Sequence, residues 1–416
     1  MLSTLIYRSR AVESMSAQAL QGLLAAARLR NAALGITGIL LFDGTHFVQL
    51  LEGGVHAVTA LFSTIKRDPR HDNVVLLMRD QGPARRFGGD PMAVLDLRVL
   101  HSRQVSVLIR EKMDTQARLA VSDDRVVKIL EWYALASGSG HIIEGEAAEH
   151  WRFLPSDAPA ASDEALDTLA YPFALQPIVD PLRREVTSFE FLIRSRSGGS
   201  PEEMFAALTP VQRYLVDLDS KACAFELARR LHLDQVKLSV NLFPMSLIGA
   251  SSPVDRLVDQ IAACGLRPQQ VIVEITEQEA VAGPGEFGAA IERLRAAGIG
   301  VAIDDFGTGF AGLSLLAEFQ PDKLKIDRGI IQNIHLDGAR QAIVGAIVHA
   351  CTAMGITPVA EGVERVEEWC WLQAAGIERF QGYLFARPAL NGIPQVQWPE
   401  RVAPYPTRGE AGAQAW

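Results

Sequence analysis

The chain has 416 residues, of which 48% are apolar and 21% are charged. This composition is typical of globular proteins and excludes a collagen-like, coiled-coil or wholly disordered chain, and the length predicts two or three domains. Forty basic residues against 49 acidic residues give a formal net charge of −9, which argues against a general nucleic-acid-binding surface. The four cysteines form no CxxC pair, which favours reduced thiols over a disulfide framework or a zinc site.

No membrane segment is predicted. The first ten residues contain no long apolar region, so no signal peptide is indicated. Residues 341–360 carry no formal charge and approach the length of a membrane span. Gly355 and Pro358 interrupt this run, which indicates a buried helix, a turn and a strand instead.

The first hundred residues alternate between strand and helix patterns. Apolar segments predict strands at 4–9, 38–42, 47–51, 74–78 and 93–99. Two helices are predicted at 16–29 and 55–65, and Asp43-Gly44 indicates a hairpin turn. This β-α-β-β-α-β order with one added strand predicts a ferredoxin-like sheet with two helices on one face.

A connector follows the first domain. Residues 101–136 are rich in charge and compatible with helix, whereas 137–140 and 155–165 have the composition of a linker. We therefore predict a first domain at 1–98, a helical connector and linker at 99–165, a second domain at 166–400 and a flexible tail at 401–416.

The second domain repeats strands and helices. Its apolar strands are predicted at 173–179, 188–193, 236–242, 270–275, 300–303, 323–326, 357–360 and 380–385. About 240 residues of such units predict a TIM-like (β/α)₈ barrel, so the chain combines α+β and α/β domains. The active site of such a barrel lies at the C-terminal ends of its strands.

Polar side chains stand at or near those ends: Glu190, Asn241, Glu274, Asp304, Asp305, Lys325 and Glu361. Carboxylates gathered at one mouth repel one another unless a cation neutralises them. Oxygen ligands favour Mg²⁺ or Mn²⁺ over zinc, and the adjacent Asp304 and Asp305 suit a two-metal phosphodiester hydrolysis. Lys325 would orient the water or take its proton, and Arg194 would hold a phosphate.

A different chemistry is indicated by residues 307–312, which match the dinucleotide-binding pattern GxGxxG, with Asp327 placed 20 residues after Gly307. Asp304 and Asp305 precede the first glycine and would face a pyrophosphate without a basic residue to offset them. We therefore disfavour a nicotinamide site.

The second domain resembles the EAL-domain cyclic di-GMP phosphodiesterases over about 170–395. The resemblance rests on EFL at 190–192, NLFP at 241–244, EITE at 274–277, DDFGTG at 304–309, KID at 325–327, EGVE at 361–364 and QGYL at 381–384. It implies a barrel that hydrolyses cyclic di-GMP to linear pGpG. The signature triplet reads Glu-Phe-Leu rather than Glu-Ala-Leu, which keeps the acidic ligand.

The same resemblance implies a role for each site residue. Two divalent metal ions would be held by Glu190, Asn241, Glu274, Asp304, Asp305 and Glu361. Lys325 would act on the water with Asp304, Asp305 and Glu361 as catalytic partners. Substrate contacts would come from Arg194, Gln381 and Glu190, and Glu277 would support the loop after Asp305.

The first domain, which shows no nucleophile, metal cluster or phosphate loop of its own, resembles BLUF domains (blue-light sensing using FAD) over 1–98. The resemblance rests on LIYRS at 5–9, Asn31, LGITGIL at 34–40, FVQLLEG at 47–53 and DPRH at 68–71. It implies that FAD lies between the two helices and is contacted by Tyr7, Ser9, Arg30, Asn31, Gln49, Asp68 and Met92. Tyr7 and Gln49 would form the photoactive pair. Many members carry a tryptophan two residues before Met92, where this chain has Asp90.

Together these patterns predict a blue-light-regulated cyclic di-GMP phosphodiesterase that uses FAD and two divalent metal ions. The resemblance implies a homodimer, and we expect a cytoplasmic protein without DNA, RNA or membrane partners. Two alternatives stay open: a light-responsive cyclic di-GMP receptor without turnover, and a photosensor whose barrel is a scaffold for another protein. The complete set of ligand positions favours turnover.

Overall fold

The computed structural model describes residues 2–82, 85–100, 102–113, 124–136, 142–157, 161–162, 169–206, 208–248, 252–280, 284–309 and 312–402. The chain forms two units. One comprises residues 1–144 and 333–343, and the other comprises 145–332 and 344–416. Of the predicted tail, residues 403–416 lie outside the described residues.

The N-terminal unit is built on a five-stranded sheet with the order β4-β1-β3-β2-β5. Its elements are β1 (Leu2–Ala11), α1 (Ala17–Ala33), β2 (Thr37–Phe42), β3 (His46–Gly54), α2 (Val55–Ile65), β4 (His71–Gly82) and β5 (Ala93–Asp96). Strand β5 runs parallel to β2, and the other pairings are antiparallel. The predicted ferredoxin-like fold is confirmed. Helix α1 begins after Ser16, whose side chain accepts a hydrogen bond from the backbone of Ala19.

Both faces of this sheet are buried. Leu5 and Tyr7 point towards α1 and α2, whereas Ile6 joins a second core with α3 (Ser102–Lys112) and α4 (Arg125–Ala136). Successive residues of a strand point to opposite faces, so apolar residues at all three positions require cover on both sides. The helices predicted as a connector therefore pack on the sheet of the N-terminal unit, whose first segment extends to Glu144.

The rest of the predicted linker contains strands. Trp151–Pro155 (β6) pairs with Gln397–Arg401 (β18), and Ala161–Ser162 (β7) pairs with Gly392–Ile393 (β17). Trp151 and Phe153 also pack edge-on against the buried Trp369. These contacts place residues 151–155 in the second unit, contrary to the predicted linker.

The second unit is a closed eight-stranded barrel. Its strands are β8 (Phe173–Asp180), β9 (Glu185–Ile193), β10 (Lys237–Asn241), β11 (Val271–Thr276), β12 (Gly300–Phe306), β13 (Lys323–Ile326), β14 (Thr357–Ala360) and β15 (Arg379–Phe380). Strands β9 to β15 are parallel, and β15 closes the barrel on β8. A short antiparallel strand, β16 (Ala389–Leu390), extends β8.

Two details of the barrel differ from the predicted strands. Strand β8 is antiparallel to β9 because the two are joined directly by residues 181–184, with Arg184 at φ 53°, and without a helix. The last strand, predicted at 380–385, ends at Phe380, because Gly382 turns the chain with φ 152°. A side chain at Gly382 would collide with the backbone of Val363.

The helices that follow α4 in the chain connect successive parallel strands of the barrel. They are α5 (Pro201–Phe205), α6 (Pro210–Arg230), α7 (Pro253–Ala263), α8 (Glu277–Ala280), α9 (Pro284–Ala296), α10 (Gly312–Phe319), α11 (Arg328–Ile331), α12 (Gly338–Met354) and α13 (Val366–Ala374). The uncharged run at 341–360 forms most of α12, a turn at Gly355 and β14, as predicted. Among the described helices, none has the length and apolar character needed to cross a membrane.

Candidate functional site

Five acidic side chains meet at the C-terminal ends of the barrel strands. Ligand oxygens of Glu190, Glu274 and Asp304 all lie within 4.8 Å of one another, and so do those of Asp304, Asp305 and Glu361. Asp304 belongs to both groups. The two groups therefore form adjacent oxygen-rich sites that share one carboxylate, which is the ligand chemistry that Mg²⁺ and Mn²⁺ prefer.

Lys325 lies at the centre of these carboxylates. Its Nζ is 2.5 Å from Glu361 Oε1, and its other neighbours are Glu274 at 2.6 Å and Glu190 and Asp304 at 3.2 Å each. Burial disfavours the charged ammonium, but the surrounding carboxylates outweigh burial and raise the pKa of Lys325 well above its usual value. A charged ammonium at this position therefore offsets part of the negative charge of the carboxylates.

The carboxylates respond to the same crowding. Burial and the neighbouring negative charges raise the pKa of Glu274 to about 7, that of Asp305 to about 6, and that of Glu361 well above its usual value. The buried Oε1 of Glu274 has no hydrogen-bond partner within the described parts of the chain. A bound divalent cation would give this oxygen a partner. It would also relieve the charge repulsion that disfavours ionisation of these carboxylates, so the cluster fits a site for divalent cations.

Two amides hold Glu190. Asn241 Nδ2 donates to Glu190 Oε1 at 2.7 Å, and Gln381 Nε2 donates to Glu190 Oε2 at 2.7 Å. Gln381 also donates to Gln176 at 3.1 Å. These contacts fix the orientation of Glu190.

Glu277 holds the loop that follows Asp305. Its Oε2 accepts hydrogen bonds from the backbone of Gly307 at 2.8 Å and of Gly309 at 3.2 Å. Asp305 itself has φ 53°, an uncommon conformation for a residue other than glycine. A Cβ at Gly309 would lie 2.9 Å from the Glu277 carboxyl group, so the close approach requires glycine there.

A cleft of about 670 Å³ opens beside this cluster. Apolar side chains such as Phe205 and Phe243 line it together with Glu190, Asn241 and Asp305. Arg194, predicted to contact substrate, is half-buried and donates to the backbone oxygen of Ile193 at 3.0 Å. Arg194 is not among the residues that line this cleft.

In the N-terminal unit, Tyr7 and Gln49 stand directly opposite each other on β1 and β3. The Tyr7 hydroxyl donates to Gln49 Oε1, and Gln49 Nε2 lies 3.4 Å from the sulfur of Met92. Burial raises the pKa of the Tyr7 hydroxyl, with smaller and opposite effects from Arg30 and Asp68. Tyr7 is therefore a neutral hydrogen-bond donor.

The remaining predicted flavin contacts have other partners. Asn31 is fully buried and donates to the backbone oxygen of Pro91 at 3.0 Å. Its Oδ1 is buried without a hydrogen-bond partner among the residues described, which fits an acceptor for a flavin ring N–H. Ser9 lies 3.0 Å from His71, and hydrogen bonding from the Arg70 side chain lowers the pKa of Asp68 to about 2. Arg30 is exposed at the end of α1.

Comparison with known protein families gives two matches. The model of the EAL domain matches residues 163–388, which is more than half of the chain. The chain belongs to the EAL domain family. Residues 2–93 match the model described as sensors of blue light using FAD, so a BLUF domain precedes the EAL domain.

Two relatives match this chain over nearly its whole length. The blue light- and temperature-regulated antirepressor BluF of Escherichia coli is 42% identical over 412 residues, which span 96% of this chain and 100% of BluF. A manganese/cy-diGMP complex of BlrP1 from Klebsiella pneumoniae has a TM-score of 0.89 and 46% identity, and the match covers 97% of this chain and 100% of BlrP1. The cyclic di-GMP phosphodiesterase RocR of Pseudomonas aeruginosa is 35% identical over 153 residues, 37% of this chain and 39% of RocR.

The EAL domain contains further polar residues that sequence reasoning missed. Asp217 in α6 is buried and accepts hydrogen bonds from Lys221 at 2.8 Å, from the backbone of Phe243 at 2.9 Å and from Ser246 at 2.7 Å. These bonds hold the loop that follows Asn241. An Asp–Lys pair at i, i+4 reads as an exposed ion pair in a sequence, and only the apolar residues around it hint at burial.

Proposed function

We propose that this EAL-domain protein hydrolyses cyclic di-GMP to linear pGpG under the control of blue light sensed by its BLUF domain. The observation that carries the proposal is that two clusters of three carboxylates share Asp304 and lie around Lys325. The manganese/cy-diGMP complex of BlrP1 and the named activity of RocR support the same chemistry.

In the proposed reaction, the water oxygen bonds to phosphorus while the bond between phosphorus and one ribose oxygen breaks. The proton that the water loses is balanced by protonation of that ribose oxygen, which leaves as a hydroxyl and opens the cyclic dinucleotide. Two divalent ions, Mg²⁺ or Mn²⁺, would supply Lewis acidity and charge neutralisation when bound by Glu190, Asn241, Glu274, Asp304, Asp305 and Glu361. The ammonium of Lys325 orients the attacking water and offsets the charge that grows on the phosphate. Gln381 and Arg194 contact the substrate, and Glu277 keeps the loop after Asp305 in place.

Light control begins at the Tyr7–Gln49 pair. A rearranged glutamine changes hydrogen bonds on one face of the central strands, and α3 and α4 pack on the opposite face of the same sheet. These helices are the proposed two-state element that carries the change onward. We also propose that the protein is cytoplasmic and forms a homodimer. Light scattering after size-exclusion chromatography tests the oligomeric state.

The experiment is hydrolysis of cyclic di-GMP with Mg²⁺ or Mn²⁺, in darkness and under blue light, with pGpG quantified by chromatography. We expect Asp304→Asn to abolish turnover without unfolding the chain. Asp255→Asn is the matched control, because Asp255 lies on the surface with its side chain 68% exposed. Normal turnover by folded Asp304→Asn would overturn the site, and equal rates in light and darkness would overturn the light control.

A second function deserves a test because BluF, a full-length relative, is named an antirepressor. In that case the barrel would bind cyclic di-GMP or another protein without turnover. Calorimetry with cyclic di-GMP in Ca²⁺ or EDTA measures binding, and comparison with the hydrolysis assay distinguishes the two functions. Binding without hydrolysis under any metal condition would favour the antirepressor type, and metal-dependent hydrolysis excludes a purely binding role.

A further inference from the structure

The Gln49–Met92 contact depends on how Met92 is held. Met92 is completely buried, and its sulfur is 3.4 Å from the amide nitrogen of Gln49. Gln49 accepts the Tyr7 hydrogen bond through its other amide atom. Any shift of Met92 therefore changes the environment of the glutamine N–H on the side away from Tyr7.

Asp90 and Arg28 hold the backbone of Met92 from both sides. The Met92 N–H donates to Asp90 Oδ1 at 2.9 Å, and the Met92 carbonyl accepts from Arg28 Nε at 3.0 Å. Arg28 Nε also lies 3.8 Å from Asp90 Oδ1, which links the two side chains. The backbone oxygen of Asp90 in turn accepts from Gly38 on β2 at 3.3 Å.

The ion pair itself adds little stability, because the side chains of Arg28 and Asp90 are 46% and 39% exposed. Its importance is geometric. Both polar groups of the Met92 peptide backbone have one directed partner each, and the partners come from α1 and from the residue two positions before Met92.

We propose that Asp90 and Arg28 are positioning residues for the photoactive glutamine, and that they act by fixing Met92 against Gln49. The inference rests on the proposed light sensing. Because the dark orientation of Gln49 includes the Met92 contact, loosening Met92 slows the return from the light-adapted state to the dark state. It also exposes the buried sulfur to solvent in darkness.

Two measurements test the proposal on the full-length flavin-loaded protein. The first is the rate of dark recovery after blue light, followed by the flavin absorption. The second is the rate of Met92 oxidation by hydrogen peroxide in darkness, measured by mass spectrometry with the 48%-exposed Met245 as an internal reference. The oxidation rate reports the position of Met92 without any photochemistry.

We expect Asp90→Ala to slow recovery about fivefold, which corresponds to about 1 kcal/mol, and to accelerate Met92 oxidation. Arg28→Gln removes the partner of the Met92 carbonyl and should change both rates in the same direction, which provides a second variant if the first folds poorly. Asp96→Ala is the matched control, because Asp96 Oδ1 accepts the backbone N–H of Arg98 in the same i, i+2 geometry on the surface.

Wild-type rates in both positioning variants would overturn the inference. Faster oxidation with unchanged recovery would overturn the link to the photocycle, and slower recovery with unchanged oxidation would overturn the role of Met92. A wild-type protein that shows no light-induced absorption shift would instead overturn the proposed light sensing.

Discussion

Replacing Lys325 by methionine should have two opposite effects. It should destabilise the barrel without metal and strengthen the binding of a divalent metal ion. The lysine is 1% exposed and lies within 3.2 Å of four carboxylates. Methionine keeps an unbranched side chain but removes the charge. The metal-free variant must then either accommodate the carboxylates without this cation or protonate them.

The expected cost follows from the burial of the cluster. Removing one partner of a buried ion pair costs about 3–5 kcal/mol of folding free energy. Protonation relieves part of this cost at low pH, since Glu274 has a pKa of about 7 even beside the lysine. When the pKa of a carboxyl group is raised on folding, the protein loses stability as the pH rises from the pKa of the unfolded state through that of the folded state. The loss should therefore be larger at pH 8 than at pH 5.

Metal binding should change in the opposite direction. A divalent ion that enters the wild-type site competes with the Lys325 ammonium for the same oxygens, whereas the variant offers them without competition. We expect Lys325→Met to have a larger Mn²⁺-induced rise in melting temperature and a lower Kd for Mn²⁺ by calorimetry, together with loss of turnover.

Lys323→Met is the matched control. Lys323 is also buried and lies two residues earlier on β13, but it donates to Ser188 Oγ at 3.0 Å. Its replacement should destabilise the barrel without increasing the affinity for Mn²⁺. If both variants respond to EDTA and Mn²⁺ alike, Lys325 is not the cation that balances the metal-free carboxylates, and the reasoning fails.

Three further perturbations test other parts of the molecule. Gln49→Leu should retain bound flavin and lose the light-induced absorption shift; an intact photocycle contradicts the assigned pair. Gly309→Ala forces a Cβ against the Glu277 carboxyl group and should lower kcat about tenfold in a folded protein; an unchanged kcat contradicts the role of this loop. Burial lowers the pKa of His46, but carboxylates that include Asp43 outweigh it and raise the pKa to about 9. After allowance for solvent screening of this half-buried group, stability should therefore fall by on the order of 2 kcal/mol as the pH rises from 6.5 through 9. Over this range the melting temperature should fall more steeply with pH for wild type than for His46→Gln; parallel plots of melting temperature against pH contradict this.

The positions of the barrel acids could be predicted because parallel strands share one direction, so residues at their ends meet at one mouth. The reversal of β8 was not predicted, although the sequence contains a signal for it. The predicted strands at 173–179 and 188–193 are separated by eight residues, too few for a crossover between parallel strands, which takes a dozen or more. Apolar patterning alone does not distinguish the two directions.

The contacts inside each site could be predicted less well. No local pattern indicates that Lys325 touches four carboxylates or that Arg28 reaches the backbone of Met92, because these contacts join residues far apart in the chain. The packing of α3 and α4 on the sheet was foreseeable in part. Leu5, Ile6 and Tyr7 are consecutive apolar residues, which is typical of a strand covered on both faces.

The direct opposition of Tyr7 and Gln49 on neighbouring strands limits how this domain tolerates insertions and deletions. An insertion or deletion of one residue in β3 before Gln49 moves the later side chains of this strand by one position. Each of them then faces the opposite side of the sheet. Since both sides of the sheet are lined by apolar residues, the shifted strand still finds a core. A single-residue change in length therefore removes the proposed photoactive pair at a smaller cost to folding than in a sheet that exposes one face to solvent. Such a change offers a short evolutionary route from a light sensor to a domain of the same fold that does not respond to light.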